Sequence, residues 1–470
     1  MNFICIDATH GCTRLALLWG NTVVELQAVR ADSPAPRVGD VYCGRVRVVQ
    51  TNAAYVDIGW PQLAYWPLDG RVRQNLDGTL QNLSESDVQK PRVGEVYIFE
   101  LASIPDEGHK GARVTRILLR GQQPDMQQGQ SSGLLQRQQP HMEQTQPPEL
   151  QQAQPPQTPG LLRAADPIAS FLAAHAADGM RVEATTPEVV SFCQEWLQNH
   201  HITAECAQAP LDLFHYKSID LAFERLFHAQ VHLPCGGSLY FEKTRAAWMV
   251  DVDSAKFAGK ALSNGKTVGK GIPSGEETIT DMEDSSTDSL TTAGQSALMV
   301  NTQAAKQVMA QLRLRRIGGS ILVDLLNMER AQDAQTVLET LRKVAALDPV
   351  PTKVLGINGL GMAEITRHRC ARPVAQCIGV TTREGLRMAA WFRALMLATR
   401  AEAMLVAGAE GVPGAKAVGM LTARVEAIPT QNQTVEISAP QPVLNEVRKL
   451  LGDAVGYVVA PTPSVRKGRT

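Results

Sequence analysis

Apolar and polar positions in the N-terminal quarter of the chain come in short β-like runs separated by turn residues. Val38-Gly39-Asp40-Val41-Tyr42 and Val93-Gly94-Glu95-Val96-Tyr97 open two strands with nearly the same residues. Between them lie Ala54-Tyr55-Val56-Asp57-Ile58-Gly59 and Leu63-Ala64-Tyr65-Trp66-Pro67-Leu68. Strands this short and this closely spaced predict a small barrel. Farther along, the period changes. Ala304, Ala305, Val308, Met309 and Leu312 recur at helical spacing, and Gly318-Gly319 ends the run. Ser320 to Leu326 then reads as an apolar strand. Val337, Leu338, Leu341 and Val344 mark a second helix, and Lys353 to Ile357 another strand. This alternation predicts a layered α/β domain.

Two stretches break the pattern. Residues 121–164 are dominated by Gln and Pro, as in Gln151-Gln152-Ala153-Gln154-Pro155-Pro156-Gln157. Such a tract buries too little apolar surface to offset its conformational entropy, and is expected to be a disordered linker. Residues from about 259 to 295 are rich in Ser, Thr, Gly and acidic side chains and read as an exposed insertion. With 470 residues, the chain is long enough for about three domains. Its 46 Lys and Arg against 47 Asp and Glu exclude nucleic-acid binding by bulk charge, so any such contact must be a local patch. The eight cysteines include no C-x-x-C pair, which predicts free thiols in a reducing cytoplasm and no structural zinc. The start of the chain lacks the pattern of a signal peptide, and no apolar run reaches membrane-spanning length.

Two apolar runs carry carboxylates. Ala247-Trp248-Met249-Val250-Asp251-Val252-Asp253-Ser254 ends in a pair of them, and Ile321-Leu322-Val323-Asp324-Leu325-Leu326 has one in its middle. A lone Asp inside a buried strand is costly unless paired, protonated or bound to a cation. Two readings are open: Asp251 and Asp324 meet around Mg²⁺, or each caps a loop or pairs with an Arg. In the barrel candidate, Tyr55, Tyr65 and Trp66 offer flat faces for bases, and Arg45, Arg47, Lys110 and Arg113 offer charge for phosphates. The alternative there is that the rings are barrel core. The ten histidines show no metal-ligand spacing.

Four stretches in this order resemble the ribonuclease E/G family of bacterial endoribonucleases. They are Gly39 to Val46 continuing to Ala53–Gly59, Leu233 to Ser254, Gln311 to Asp324, and Gly361 to Arg369. The resemblance covers about 38–118 and 211–369. It implies a multidomain α/β fold: an OB-fold RNA-binding barrel (36–120) inserted in an RNase H-like domain (1–35 with 165–230). A DNase I-like nuclease domain (231–369) and a small C-terminal domain (370–470) would follow. It further implies a magnesium-dependent endoribonuclease cleaving single-stranded RNA, in keeping with the cytoplasmic setting that the free thiols predict, and it leaves a homo-oligomer open. The other reading is a non-catalytic RNA-binding protein on the same scaffold. Asp251 and Asp324 match the family's magnesium-binding aspartates, with Asp253 beside them where the family has Asn. Tyr55, Tyr65 and Lys110 match its RNA-holding positions, near Arg45, and Arg163 matches an arginine that contacts the RNA 5′ end. Gly359 replaces an expected arginine, Ala164 an expected Thr, and the family's zinc-linking cysteine pair is missing.

Overall fold

The computed structural model describes residues 2–33, 35–68, 71–74, 79–82, 90–104, 111–118, 158–254, 293–409, 424–428, 434–451 and 457–461. The heart of the Gln/Pro-rich tract, most of the 259–295 stretch and Lys110 lie outside the described residues.

The chain begins with an antiparallel meander of β1 (Asn2–Thr9), β2 (Cys12–Trp19) and β3 (Thr22–Arg30). Its first turn, His10-Gly11, has both residues left-handed, at φ 49° and 68°. That geometry matches the twist of the strands it joins.

The barrel strands follow: β4 (Val41–Val49), β5 (Ala53–Asp57), β6 (Ala64–Pro67), β7 (Arg71–Gln74), β8 (Thr79–Asn82), β9 (Val96–Ser103) and β10 (Arg113–Leu118). β4 pairs with β5, β5 with β6, β6 with β10, β10 with β9, and β9 again with β4, closing a five-stranded ring. Val46, Val56, Trp66, Phe99, Leu101 and Val114 fill its interior. The two repeated sequences at 38–42 and 93–97 make the same turn. Gly39 and Gly94 have φ 93° and 95°. In each, a backbone N–H three residues earlier donates to the acidic side chain: Arg37 to Asp40 and Arg92 to Glu95, both at 2.7 Å. At Gly44 a Cβ would come within 2.6 Å of Val56, so the barrel wall closes only over glycine there.

β11 (Gly160–Arg163) pairs antiparallel with β4. The expected linker therefore ends earlier than 164. Leu162 packs against Val41, Ile98 and Ile117, and Ala165 N–H donates to Asp40 at 2.8 Å, anchoring a segment whose neighbours upstream are polar.

The chain then rejoins the first sheet through α1 (Pro167–His175), β12 (Arg181–Ala184), α2 (Pro187–Asn199), β13 (Glu205–Gln208), α3 (Leu213–Tyr216) and α4 (Ile219–Arg225). β12 runs parallel to β1 and β13 parallel to β12, giving the order β13-β12-β1-β2-β3. Asp166 caps α1 by accepting from the N–H groups of Ile168 and Ala169, and Pro167 opens the helix. β1 is buried on both faces. Ile4 and Ile6 pack with Phe171 and Leu197, and Cys5 with Phe214 and Phe223.

The third sheet comprises β14 (Gln230–His232), β15 (Ser238–Lys243), β16 (Trp248–Asp253), β17 (Gly319–Asp324), β18 (Thr352–Ile357) and β19 (Met362–Arg367), in the order β14-β15-β16-β17-β19-β18. α5 (Ala293–Arg315) is the crossover between β16 and β17, which are parallel, and α6 (Ala331–Ala345) follows β17. The start of α5 falls inside the expected insertion, which therefore ends by 292.

Beyond it come α7 (Val374–Cys377), the hairpin β20 (Gly379–Thr382) and β21 (Gly385–Met388), α8 (Ala390–Ala409), β22 (Arg424–Ile428), β23 (Thr434–Ala439), α9 (Gln441–Leu451) and β24 (Tyr457–Pro461). Among the described residues, the expected C-terminal domain at 370–470 is joined to the first sheet at its start. Val374, Ile378, Phe392, Leu395 and Met396 share one core with Ala16, Phe214 and Phe223 of the first sheet and its helices. α8 is apolar on two sides, and its Leu397 and Ala401 pack against Val443 and Leu444 of α9. No helix of the described residues is long and apolar enough to cross a membrane.

Candidate functional site

The alternation of β15, β16, β17 and β19 sorts their side chains onto two faces. Leu239, Phe241, Val250, Val252, Ile321, Val323, Ala363 and Ile365 are buried in one core with α5 and α6 residues such as Val308, Leu312, Val337 and Leu341. The opposite face carries the polar positions. Its central row runs Tyr240, Asp251, Asp324, Met362, each a direct neighbour of the next. Asp251 is exposed and Asp324 half-buried, so the strands that bear them are buried on one face only. The carboxylates are not sunk in apolar surroundings, as the sequence had suggested, but stand on the open face.

Asp253, also exposed, lies on the same face opposite Ser238. Glu242 stands opposite Met249, and Glu364 opposite Leu322, adding two acidic side chains to this face. Partial burial and the negative charges of Asp324, Asp253 and Glu242 push the Asp251 carboxyl above its ordinary value. Polar contacts brace the rim. Gln230 Nε2 donates to Tyr240 Oη at 2.9 Å and to Ser238 Oγ at 3.1 Å. Asn358, in the β18–β19 turn, donates to Glu364 at 3.1 Å while its Oδ1 accepts from the N–H groups of Leu360 and Met362. Glu242, Glu364 and Asn358 were not singled out from the sequence. The period-two alternation in register with Asp251 and Asp324 was the signal that could have found the two glutamates. Among the described residues no group of three or more His, Cys, Asp or Glu side chains is arranged to hold a metal ion. The structure brings together two facing aspartates with further carboxylates along the strands. Cys370 and Cys377 are free thiols.

On the barrel, Tyr55 and Tyr65 are direct cross-strand partners, their rings edge-to-face at 5.9 Å. They alternate with buried Ala54, Val56, Ala64 and Trp66, which places them on the outer surface. Trp66 belongs to the core instead. It is 3% exposed and packs on Tyr97 and Phe99, so it offers no face to a base. Arg113 is the partner of Tyr65 on β10. Arg45 is half-buried and pairs with Asp57 across the β4–β5 ladder, its guanidinium near the Gly94 carbonyl at 3.5 Å. Arg47 is held in an ion pair with Asp57 at 2.7 Å. Arg163 is exposed on β11, a strand-bound position on the barrel edge.

Residues 152–270 and 278–370 match the model of the Ribonuclease E/G family. Over these residues the chain is similar to the ribonuclease E/G family. It is 28% identical over 169 residues to "Ribonuclease E" of Nostoc sp., covering 36% of this chain and 20% of that protein. To "Ribonuclease G" of Escherichia coli (strain K12) it is 25% identical over 194 residues, 41% of this chain and 34% of the other. To a "Ribonuclease E/G-like protein" of Pyropia yezoensis it is 32% identical over 171 residues, 36% of this chain and 27% of the other. The matched stretch thus spans between 20% and 34% of these ribonuclease E/G relatives. The family match contains β16, β17 and β19, and with them Asp251, Asp253, Asp324 and Glu364. The barrel strands β4 to β10 precede it.

Proposed function

We propose that this chain is a magnesium-dependent endoribonuclease acting on single-stranded RNA in the cytoplasm. The observation that carries the reading is the in-register pair of Asp251 and Asp324 on the open face of a sheet inside the family match. On this reading the closed five-stranded ring is an OB-type barrel. The three-strand meander continued by two parallel strands is an RNase H-like layer, and the third sheet with α5 and α6 is a DNase I-like nuclease unit.

The residues fit a magnesium ion. Two carboxylates face one another, and like charges already push Asp251 upward, the condition a divalent cation relieves. Magnesium uses one or two carboxylates and keeps several waters, so it needs no third protein ligand. When bound, it supplies charge stabilisation at the scissile phosphate and an activated water. Asp251 and Asp324 would hold it, and Asp253 would add a further carboxylate on the same face. Tyr55 and Tyr65 would stack bases on the barrel surface while Arg45 and Lys110 meet phosphates. Arg163 would approach a 5′ end from the barrel edge.

Gly359 favours a second reading, RNA binding without cleavage, because this one position of the turn beside Asp324 lacks a side chain where the resemblance leads one to expect arginine. The experiment is incubation of the purified chain with a labelled A/U-rich single strand, with Mg²⁺ and with EDTA. Mg²⁺-dependent internal cleavage leaving 5′-phosphate ends is expected. Tight binding of an intact strand under both conditions would favour the second reading.

A further inference from the structure

A cleft of about 580 Å³ opens where β3, the 35–38 segment, the barrel, α1 and the 349–350 and 370–377 segments meet. None of its lining belongs to the acidic face of the third sheet or to the Tyr55–Tyr65 surface. Its volume is that of a small-ligand site. Four arginines line it: Arg30, Arg37, Arg316 and Arg372.

Two of these guanidinium groups, Arg37 and Arg372, meet no carboxylate among the described residues, and the charge of a third, Arg316, acts on Glu25. Arg30 is paired with Asp32 and lies over the Trp391 ring. The Arg37 guanidinium donates to the backbone carbonyls of Ala165 and Arg30. Arg316 and Arg372 have no hydrogen-bonded or ion-paired partner among the described residues. The one carboxylate of the lining, Glu25, is engaged by His175 and Arg313, each at 3.3 Å. Arg316 and Arg372 act on one spot, since desolvation pushes the Cys377 thiol up and both guanidinium charges draw it down again.

The backbone carries a second sign. Arg316 directly follows α5 and lies in the left-handed region, φ 56°, a position where helices ordinarily place Gly or Asn. A residue with a Cβ is held there at a conformational cost, and the Arg316 side chain lines the cleft. Val38, Ile104, Phe171 and Val350 give the cleft an apolar stretch, between the polar side chains of Gln27, Ser33, Ser170 and Gln376. Guanidinium forks match phosphate oxygens, and an aliphatic wall suits the flat face of a base or a sugar.

We propose that this cleft binds a free nucleotide, its phosphate gripped by Arg316, Arg372 and Arg37 and its base against the apolar wall. The site is independent of the nuclease reading and stands or falls without it. The experiment is calorimetric titration of the full chain with ADP, AMP and adenosine in EDTA, so that no metal at Asp251 and Asp324 contributes. Alkylation of Cys377, which is solvent-exposed, is followed in parallel by mass spectrometry. Saturable ADP binding at least tenfold tighter than adenosine is expected, with protection of Cys377. Arg372→Gln and Arg316→Gln should each weaken ADP binding tenfold or more, while Asp251→Asn leaves it unchanged. Should Arg316→Gln fail to fold, the exposed Arg372→Gln alone decides. Absence of saturable binding, adenosine binding as tightly as ADP, or undiminished affinity in Arg372→Gln would overturn the proposal. So would binding of a 5′-phosphorylated oligonucleotide but of neither free nucleotide.

Discussion

Asp251 and Asp324 are direct partners across the parallel β16–β17 pair, although the whole of α5 lies between them in the chain. The crossover sets this register by burying Val250, Val252, Ile321 and Val323 under α5 and α6, which turns the alternate positions outward together. The Asp251 and Asp324 side chains are therefore neighbours because the core residues beside them are.

Asp251→Asn or Asp324→Asn is expected to abolish Mg²⁺-dependent RNA cleavage while leaving RNA affinity within about twofold. Each change removes a metal-holding charge without touching the barrel. Like charges directly opposite one another on neighbouring strands are also mutually destabilising. In EDTA, either substitution should thus hold or slightly raise the melting temperature. Cleavage near the wild-type rate, or a large loss of stability in EDTA, contradicts the assignment.

Tyr55→Ala and Tyr65→Ala should each weaken single-strand binding by about 1–3 kcal/mol, the usual value of stacking a base on an aromatic ring. Both rings stand on the outer barrel surface, so the folded state should survive. Trp66→Ala should behave differently. Its ring is core, and removing it should cost about 3–5 kcal/mol of stability. Chemical denaturation alongside fluorescence anisotropy separates the two effects.

Much of this architecture can be read from short motifs because their physics is local. The repeated Val-Gly-acid-Val-Tyr segments encode a turn that needs only a left-handed glycine and an acidic side chain three residues after a free N–H. The apolar runs of β16 and β17 announce strands, and the α5 and α6 periods announce helices. What periodicity does not encode is the partner. The sequence marks Phe392, Leu395 and Met396 as one helical face, but nothing local says that this face closes the core of β1 and β2, far away in the chain. The same limit hid β11, whose pairing depends on the exposed edge of β4. It also hid the acidic face, since Glu242 and Glu364 become neighbours of the aspartates only through register between strands.

Arg14 joins these distant parts. Fully buried, it donates to Asp7 at 2.5 and 2.8 Å, to Asp220 at 2.9 Å and to Thr399 at 3.3 Å, tying β1 and β2 to α4 and α8. Burial pushes the Asp220 carboxyl up to about 6 even beside this guanidinium. Arg14→Met should leave two buried carboxylates without their counter-charge and cost about 3–5 kcal/mol near neutral pH. A buried acid with a raised pKa binds protons more readily folded than unfolded, so the penalty should shrink as pH falls toward 5. Melting curves of both proteins at pH 7.5 and 5 test this. A penalty that is small at pH 7.5 or independent of pH contradicts it.

Glu25 works in the opposite sense. Burial alone would raise its pKa, but a hydrogen bond from His175 and the charges of His175, Arg316 and Arg313 outweigh that and lower it to about 2. A carboxylate with a depressed folded pKa stabilises fully above its unfolded value, near 4.5, and loses that contribution as pH falls toward 2. The amount is up to about 3 kcal/mol. Glu25→Gln should lower stability at pH 7 and flatten its decline between pH 4.5 and 2. Parallel acid titrations of wild type and variant, followed by circular dichroism, are the measurement. Identical curves would place the acid sensitivity elsewhere.

Gly359 sits in the turn between β18 and β19, whose neighbouring residue Met362 is the direct partner of Asp324. This puts the turn at the end of the sheet where the aspartates face solvent. A Cβ built at Gly359 meets nothing within 4 Å, and its backbone is outside the left-handed region that would strain a side chain. Gly359→Arg is therefore accommodated without cost to the fold, and it adds a guanidinium beside the acidic face, where a scissile phosphate would need a counter-charge. If the chain cleaves RNA, this variant should raise kcat/KM, and a tenfold gain would correspond to about 1.4 kcal/mol of added transition-state stabilisation. The gain should vanish in the Gly359→Arg, Asp324→Asn double variant, because the arginine adds to a metal-dependent site and does not replace it. An increase in RNA affinity with no change in cleavage would instead mean that the new guanidinium reaches the strand away from the bond being cut.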